Sequence, residues 1–242
     1  MRPFYRKDLF RNEIVTSNPI EYQTKINSDE LQFETLKMEK GQSISLNSEH
    51  YEIGVVILQG TANIQAGDFR AEQVGKRKDV FSGKPTMVYI PCETRFSIKA
   101  VGYGVLEIAL CKGRATQKGK PYIIQPEQVV EKVQGVLNWK RKVHEIIVGE
   151  NQLISSRLII GETYGCPGTW SVYPYTEEDG KTIFHFKIDS NPGKRLQVMR
   201  SIDKPQAYYI QEDTTLLVQE SYIPVPEVEK SNIYYLWFKL DK

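Results

Sequence analysis

The hydrophobic and polar residues of this chain follow a pattern that is typical of β-strands rather than helices. Short segments rich in β-branched and aromatic residues recur along nearly the whole sequence, separated by Gly, Pro, Asn and Asp. The predicted strands of the first half are residues 31–38, 53–59, 61–65, 86–90, 95–101 and 104–111. Those of the second half are residues 156–163, 169–175, 182–188, 195–202, 207–210, 214–219 and 233–240. The pattern therefore predicts an all-β protein built from two halves.

One segment between the halves carries a helix signal. Pro126 suits a first helical turn, a helical pattern follows over residues 127–134, and Gly135 marks a stop. We expect residues 113–142 to connect the halves. This predicts an N-terminal barrel over residues 1–125, then a short connecting helix and a C-terminal barrel over residues 126–242. The tripeptide Tyr-Ile-Pro occurs late in each half, at residues 89–91 and 222–224, which is consistent with an internal duplication.

The composition is that of an ordinary globular protein. Among 242 residues, 40% are hydrophobic and 26% are charged, and the net charge of +2 does not favour a nucleic-acid surface. The three cysteines are widely spaced, which predicts reduced thiols in the cytoplasm rather than a zinc knuckle or a disulfide framework. The charged N-terminus does not resemble a signal peptide, and no apolar run is long enough to predict a membrane span.

The order of the segments resembles the 5-deoxy-glucuronate isomerases of inositol catabolism, which are related to the 5-keto-4-deoxyuronate isomerases of pectin breakdown. Similar stretches extend from residue 31 to residue 239, and they include Gly-Glu-Thr at 161–163, Gly-Thr-Trp-Ser-Val-Tyr-Pro at 168–174 and Ile-Tyr-Tyr-Leu at 233–236. The resemblance implies two cupin-type barrels, each a double-stranded β-helix. It also implies the aldose–ketose isomerisation of a uronic or deoxy sugar acid, with a divalent metal such as zinc or manganese as cofactor.

The metal ligands that the resemblance implies are all changed in this chain. The family binds its metal in the second barrel through a His-x-His pair, a glutamate and a final histidine. Read without gaps, Thr176 and Glu178 occupy the positions of the histidine pair, Thr182 that of the glutamate and Ile223 that of the last histidine. We therefore expect no metal cofactor and an isomerase activity that is impaired or altered.

The chain has only three histidines from which another metal site could be built. His50 lies near Glu49 and Glu52, and one histidine with flexible carboxylates is a poor set of ligands for a transition metal. By strand alternation, His185 points to the face opposite Thr182. His144 lies in the predicted connector, where the sequence indicates no partner for it.

Without a metal, the isomerisation would depend on charged side chains alone. Glu162 or Glu178 would act as the base and Arg195 would stabilise the negative charge, although no motif positions them and Glu162 could equally anchor a strand.

A second interpretation is a non-catalytic cupin that binds a sugar acid or polyol in an aromatic second barrel. Its candidate ligand contacts, each of which could equally fill a core, are Trp170, Tyr173, Tyr175, Tyr208 and Tyr222. A third interpretation is an assembly or interaction protein. The apolar segment 233–240 is predicted to be an edge or a central strand, and a homo-oligomer could form through exposed barrel edges.

Overall fold

The computed structural model describes residues 19–165, 169, 180–189, 195–200, 205–219 and 232–241. For residues 150, 195–200, 205–209 and 219 it describes the backbone alone. Strands β1 to β10 are Glu21–Asn27, Leu31–Met38, Ser43–Asn47, Tyr51–Gln59, Ala62–Ala66, Phe69–Val74, Met87–Ile90, Arg95–Ala100, Leu106–Arg114 and Tyr122–Ile124. Strands β11 to β18 are Val130–Gln134, Arg141–Ile147, Leu158–Gly165, Lys181–Ile188, Arg195–Arg200, Pro205–Ile210, Thr215–Gln219 and Ile233–Leu240. In these ranges no helix is long and apolar enough to cross a membrane.

The strands form two pairs of sheets, one pair in each half. In the first half, a six-stranded sheet in the order β1-β2-β9-β4-β7-β10 accompanies a four-stranded sheet in the order β3-β8-β5-β6. In the second half, a six-stranded sheet in the order β11-β12-β13-β18-β14-β17 accompanies the pair β15-β16. The segments β2-β9-β4-β7 and β13-β18-β14-β17 repeat one pairing order. The predicted all-β fold is confirmed.

The predicted connecting helix is wrong. Residues 126–134 form a 3-10 turn over Pro126–Gln128 and then strand β11, which pairs with β12 from Val130 opposite Glu145 to Gln134 opposite Arg141. The segment is too short to be stable as a helix by itself, and β-branched residues such as Val130 and Val133 suit a strand. The backbone hydrogen bonds to β12 therefore decide the conformation, and the region 113–142 contributes strands β10 and β11 to the sheets.

The residues that the structure describes form three apolar cores. One fills the space between the two six-stranded sheets and includes Phe33, Ile160 and Phe238. A second, which includes Ile57 and Phe96, lies between the sheets of the first half. The interior of the first half is packed with aliphatic and aromatic side chains. The third core lies on the other face of the second six-stranded sheet, which we call the inner face because it is turned away from the first half.

A buried carboxylate from the first half fixes the start of β13. Both oxygens of Glu52 on β4 accept hydrogen bonds from backbone N–H groups, at 2.7 Å from Ser156, 2.8 Å from Arg157 and 2.9 Å from Leu158. The hydroxyl of Tyr89 donates a fourth hydrogen bond, at 2.7 Å. Because Glu52 is fully buried, these bonds replace its hydration and hold the two halves together.

Candidate functional site

The inner face of the second six-stranded sheet is the place where the predicted ligand cavity would lie. Along β14, Phe184 and Phe186 face this side, and Tyr235 of β18 packs against both with ring centroids 5.9 and 5.6 Å away. The alternate residues Ile183, Tyr234 and Leu236 face the first half instead. The described part of the inner face is therefore apolar, with four aromatic side chains and four aliphatic ones.

Trp237 has a defined orientation on this face. It lies directly opposite Gly161 in the β13–β18 ladder, and its indole nitrogen donates a hydrogen bond to Thr163 Oγ1 at 3.0 Å. A Cβ atom added to Gly161 would lie only 2.2 Å from Trp237 Cζ2, 2.7 Å from Cε2 and 2.9 Å from Cη2. Three consecutive ring atoms thus cover the glycine, so the indole rests with one face on the backbone. Any larger residue at position 161 would displace it.

Thr182 occupies the inner face beside these aromatic side chains. It is 2% exposed, it lies opposite Val218 of β17, and its hydroxyl has no hydrogen-bond partner among the described residues. A neutral hydroxyl next to an apolar core is a poor replacement for a carboxylate ligand. Within the described ranges, no group of three or more His, Cys, Asp or Glu side chains could hold a metal ion. Thr182, the one implied ligand position that the structure describes, does not fit the metal set of the family resemblance.

Glu162 does not point into the second half but towards the first. Its carboxylate accepts two hydrogen bonds from Arg77, at 2.7 and 3.1 Å, and one each from the hydroxyls of Tyr234 and Tyr164, at 2.8 and 3.0 Å. Burial alone would raise the pKa of Glu162, but Arg77 and the hydrogen bonds from His144 and the other partners lower this pKa to about 2. An ionised carboxylate with this many donors anchors a strand and is unsuited to act as a base.

The three histidines have separate environments. His144, which the sequence left without a partner, lies on β12 and is 1% exposed. Its Nε2 is 2.9 Å from Glu131 Oε2, and its Nδ1 is 3.4 Å from Glu162 Oε2. The strand register that brings these groups together could not be seen in the sequence. His50 is exposed in a turn, as expected.

His185 lies on the opposite face of β14 from Thr182, which confirms the alternation argument. It contacts Phe33 of the first half with ring centroids 4.9 Å apart, and its Nδ1 is 2.9 Å from Thr215 Oγ1. Nearby, Lys187 forms ion pairs with Glu107 and Asp213, each at 2.6 Å. These charged groups join the two halves and lie away from the inner face.

Several predicted site residues lie outside what the structure describes. Arg195 and Tyr208 are placed by their backbones alone, on β15 and β16. The others fall wholly outside the described residues; they are Trp170, Tyr173, Tyr175, Thr176, Glu178, Tyr222 and Ile223. Sequence reasoning overlooked Trp237 because β18 is apolar on both faces, which conceals its alternation.

Comparisons with known proteins place this architecture in context. The sequence model of the KduI/IolB family matches residues 10–239. A 5-deoxy-glucuronate isomerase of Geobacillus kaustophilus is 30% identical over 218 residues, which cover 84% of this chain and 77% of that protein. The crystal structure of an IolB-like protein from Salmonella typhimurium superposes with a TM-score of 0.79 at 23% identity, covering 88% of this chain and 84% of that one. The crystal structure of an oxalate decarboxylase of Lactobacillus farciminis superposes with a TM-score of 0.62 at 9% identity, and the match covers 95% of this chain and 83% of that one.

Proposed function

Because the chain belongs to the KduI/IolB family, we propose that its second half binds a uronic or deoxy sugar acid of the kind on which 5-deoxy-glucuronate isomerases act. The observation that carries the proposal is the inner face, where aromatic rings adjoin the hydroxyls of Thr163 and Thr182. Aromatic walls with a few hydrogen-bonding groups suit a polyol, whose ring has apolar C–H faces and polar edges.

The proposal includes an aldose–ketose isomerisation that is impaired or altered. That reaction moves a proton between adjacent carbons, which requires a base and a group that stabilises the negative charge on the oxygens. In related isomerases a divalent metal would supply the second role. The family resemblance implies a glutamate ligand at the position of Thr182, whose neutral hydroxyl supplies neither charge nor basicity. The carboxylate of Glu162 accepts two hydrogen bonds from Arg77, so it is not free to act as the base. Support for reduced turnover therefore comes from the chemistry of these two side chains.

The test combines metal analysis, binding and turnover on the purified full-length chain. We expect substoichiometric zinc, manganese, iron and nickel, binding of D-glucuronate or D-galacturonate by isothermal titration calorimetry, and turnover far below that of an active family enzyme assayed in parallel. A full equivalent of metal whose removal by a chelator also abolishes isomerase activity would overturn the altered-chemistry part of the proposal. Absence of uronate binding would overturn the proposal that the second half binds a sugar acid.

A second candidate function is uronate binding without any turnover. The engagement of Glu162 by Arg77, Tyr164 and Tyr234 favours it, because this carboxylate is not free to take a proton. Binding together with complete absence of product by NMR would select this candidate. An assembly protein would show neither binding nor turnover. A cytoplasmic location and a homo-oligomeric state stay predictions of the sequence.

A further inference from the structure

Strand β11 is an edge of the second six-stranded sheet, and side chains on both of its faces are exposed. The sheet order ends at β11, whose only partner in the described part of the chain is β12. Residues 130–133 are exposed and Gln134 is partly exposed. Alternate backbone N–H and C=O groups of an antiparallel edge strand point away from its neighbour, so β11 presents unpaired groups on its outer side. The segment 233–240 cannot supply such an edge, because β18 lies between β13 and β14.

The other sheet edges with described side chains are protected against pairing, whereas β11 is not. The register is irregular in the β1–β2 pair between Thr24 and Ile26 and in the β5–β6 pair between Ala62 and Ile64. Strand β10 has only three residues, and the described side chains of β3 and β17 are mostly half-buried. Bulges, short strands and cover are common protection for a sheet edge. Strand β11 pairs with β12 at five consecutive positions without an irregularity, and it contains no proline.

The charges of β11 are neutralised within the hairpin that β11 and β12 form. Lys132 forms an ion pair with Glu145 of β12 at 2.7 Å. On the other face, Glu131 lies 2.9 Å from His144 Nε2 and 3.6 Å from Lys142 Nζ. Because each charge already has a partner on β12, the two charges offer little repulsion to an approaching strand.

Apolar side chains follow the same edge. Val130 and Val133 on the strand, and Val136 and Leu137 in the turn after it, are between 48% and 87% exposed. Leu137 has a φ of 52°, a left-handed conformation that is unfavourable for a bulky residue. A strained turn that holds apolar side chains in solvent beside an unpaired strand is typical of an interaction surface.

We propose that β11 pairs antiparallel with β11 of a second copy of this chain, so that one sheet continues across a two-fold symmetric homodimer. Directly opposite residues lie on the same side of a sheet, so the two-fold axis must pass through a residue that faces its own copy. An axis through Glu131 or Lys132 would place like charges directly opposite each other, which is unfavourable. An axis through Val133 places valine against valine and Lys132 opposite Gln134 of the second copy. The Val133 register is therefore the favoured one.

The size of this surface predicts a weak, reversible dimer. Each copy contributes the five residues of β11 and the turn after it. Interfaces that bury less than about 1,200 Å² in total are typical of transient complexes. The dimer does not rest on the proposed function, since β11 is the edge farthest from β14 and β17 in the sheet order.

The experiment measures the monomer–dimer equilibrium of the full-length chain by sedimentation equilibrium over a concentration series. The wild type should associate reversibly. Val133→Lys and Val133→Glu each place two like charges on the axis, so each should weaken association by about tenfold or more. Because Val133 is exposed in the monomer, the thermal midpoint should stay near that of the wild type. Val105→Lys, at another exposed valine, is the matched control and should associate like the wild type.

Mixing the two variants tests the register. An equimolar mixture of Val133→Lys and Val133→Glu places opposite charges on the axis, so dimer should reappear as the heterodimer. In the wild type, amide exchange over residues 130–134 should slow as the concentration rises, because outward N–H groups become hydrogen-bonded. A wild type that stays monomeric at its highest soluble concentration overturns the inference, and so does a dimer that Val133→Lys leaves intact. A mixture that stays monomeric overturns the symmetric pairing through Val133. None of these outcomes changes the expectation of uronate binding.

Discussion

Arg77 and Glu162 join the two halves of the protein through a bidentate ion pair that is almost completely removed from solvent. The guanidinium nitrogens lie 2.7 and 3.1 Å from the two carboxylate oxygens, and the side chains are 3% and 0% exposed. Arg77 precedes β7 in the first half, while Glu162 lies in the middle of β13. The two charges are tolerated in the interior because they neutralise each other, because Tyr164 and Tyr234 donate hydrogen bonds to Glu162, and because Arg77 Nε donates one to the Ile57 carbonyl.

Arg77→Met should destabilise the protein strongly. The substitution leaves the Glu162 carboxylate buried without a counter-charge, and breaking one side of a buried pair costs about 3–5 kcal/mol. Guanidinium unfolding followed by circular dichroism measures the free energy of unfolding. Arg70→Met, at an exposed position on β6, is the control and should change it little. The double variant Arg77→Met/Glu162→Gln should recover part of the loss, because the uncompensated charge is removed. A cost below about 1 kcal/mol in the single variant would show that the pair does not stabilise the interface.

His185 should cause the first loss of stability as the pH falls. Burial and the nearby Lys187 lower the pKa of His185 from 6.5 to about 3. Because the unfolded chain then binds the proton more readily, the stability that is fully present above pH 6.5 is lost as the pH falls towards 3. Glu162, whose pKa is lowered from 4.5 to about 2, loses its contribution only in the lower window between those values. Stability measured from pH 8 to pH 4 should therefore start to fall near pH 6.5.

The control for this pH dependence is His185→Gln, which keeps a hydrogen-bonding group near Thr215 but cannot titrate. Its stability should change less than that of the wild type between pH 6.5 and pH 4.5. His50→Gln, at an exposed position, should retain the wild-type slope. Equal slopes in the wild type and His185→Gln would mean that another group is responsible for the early loss.

Strands could be predicted from the sequence where the local pattern of hydrophobic and polar residues was strong. Residues 31–38 and 233–240 were predicted as strands, and β2 and β18 have the same limits. The helix over 126–134 failed because its strand conformation depends on pairing with β12, which the local sequence does not encode. Glu162 was recognised as a candidate, but its partner Arg77 lies 85 residues away in the chain. Only the packing of the two six-stranded sheets brings them together, so the sequence could not distinguish an anchor from a base.

Glu52→Ala should weaken the attachment of β13 to the first half. The substitution removes the acceptor for three backbone N–H groups and the Tyr89 hydroxyl, and unsatisfied buried donors cost about 1–3 kcal/mol each unless water enters. We expect a loss of about 3 kcal/mol in the free energy of unfolding, together with faster amide exchange at residues 156–158. Glu72→Ala, exposed on β6, is the matched control. Unchanged exchange at these amides would contradict the assignment of Glu52 as the group that fixes β13.

Gly161→Ala should disturb Trp237 specifically. The added methyl group would lie 2.2 Å from Cζ2, so the indole must move off the sheet and weaken its hydrogen bond to Thr163. Overpacking of this kind costs about 1–3 kcal/mol, and near-ultraviolet circular dichroism should report the altered indole environment. In Gly161→Ala/Trp237→Ala the clash is absent, so the double variant should be more stable than the sum of the single changes predicts. Additive costs, or an unchanged spectrum in the single variant, would show that the ring does not rest on the glycine. Because both partners lie on adjacent strands, this coupling should appear even without a ligand.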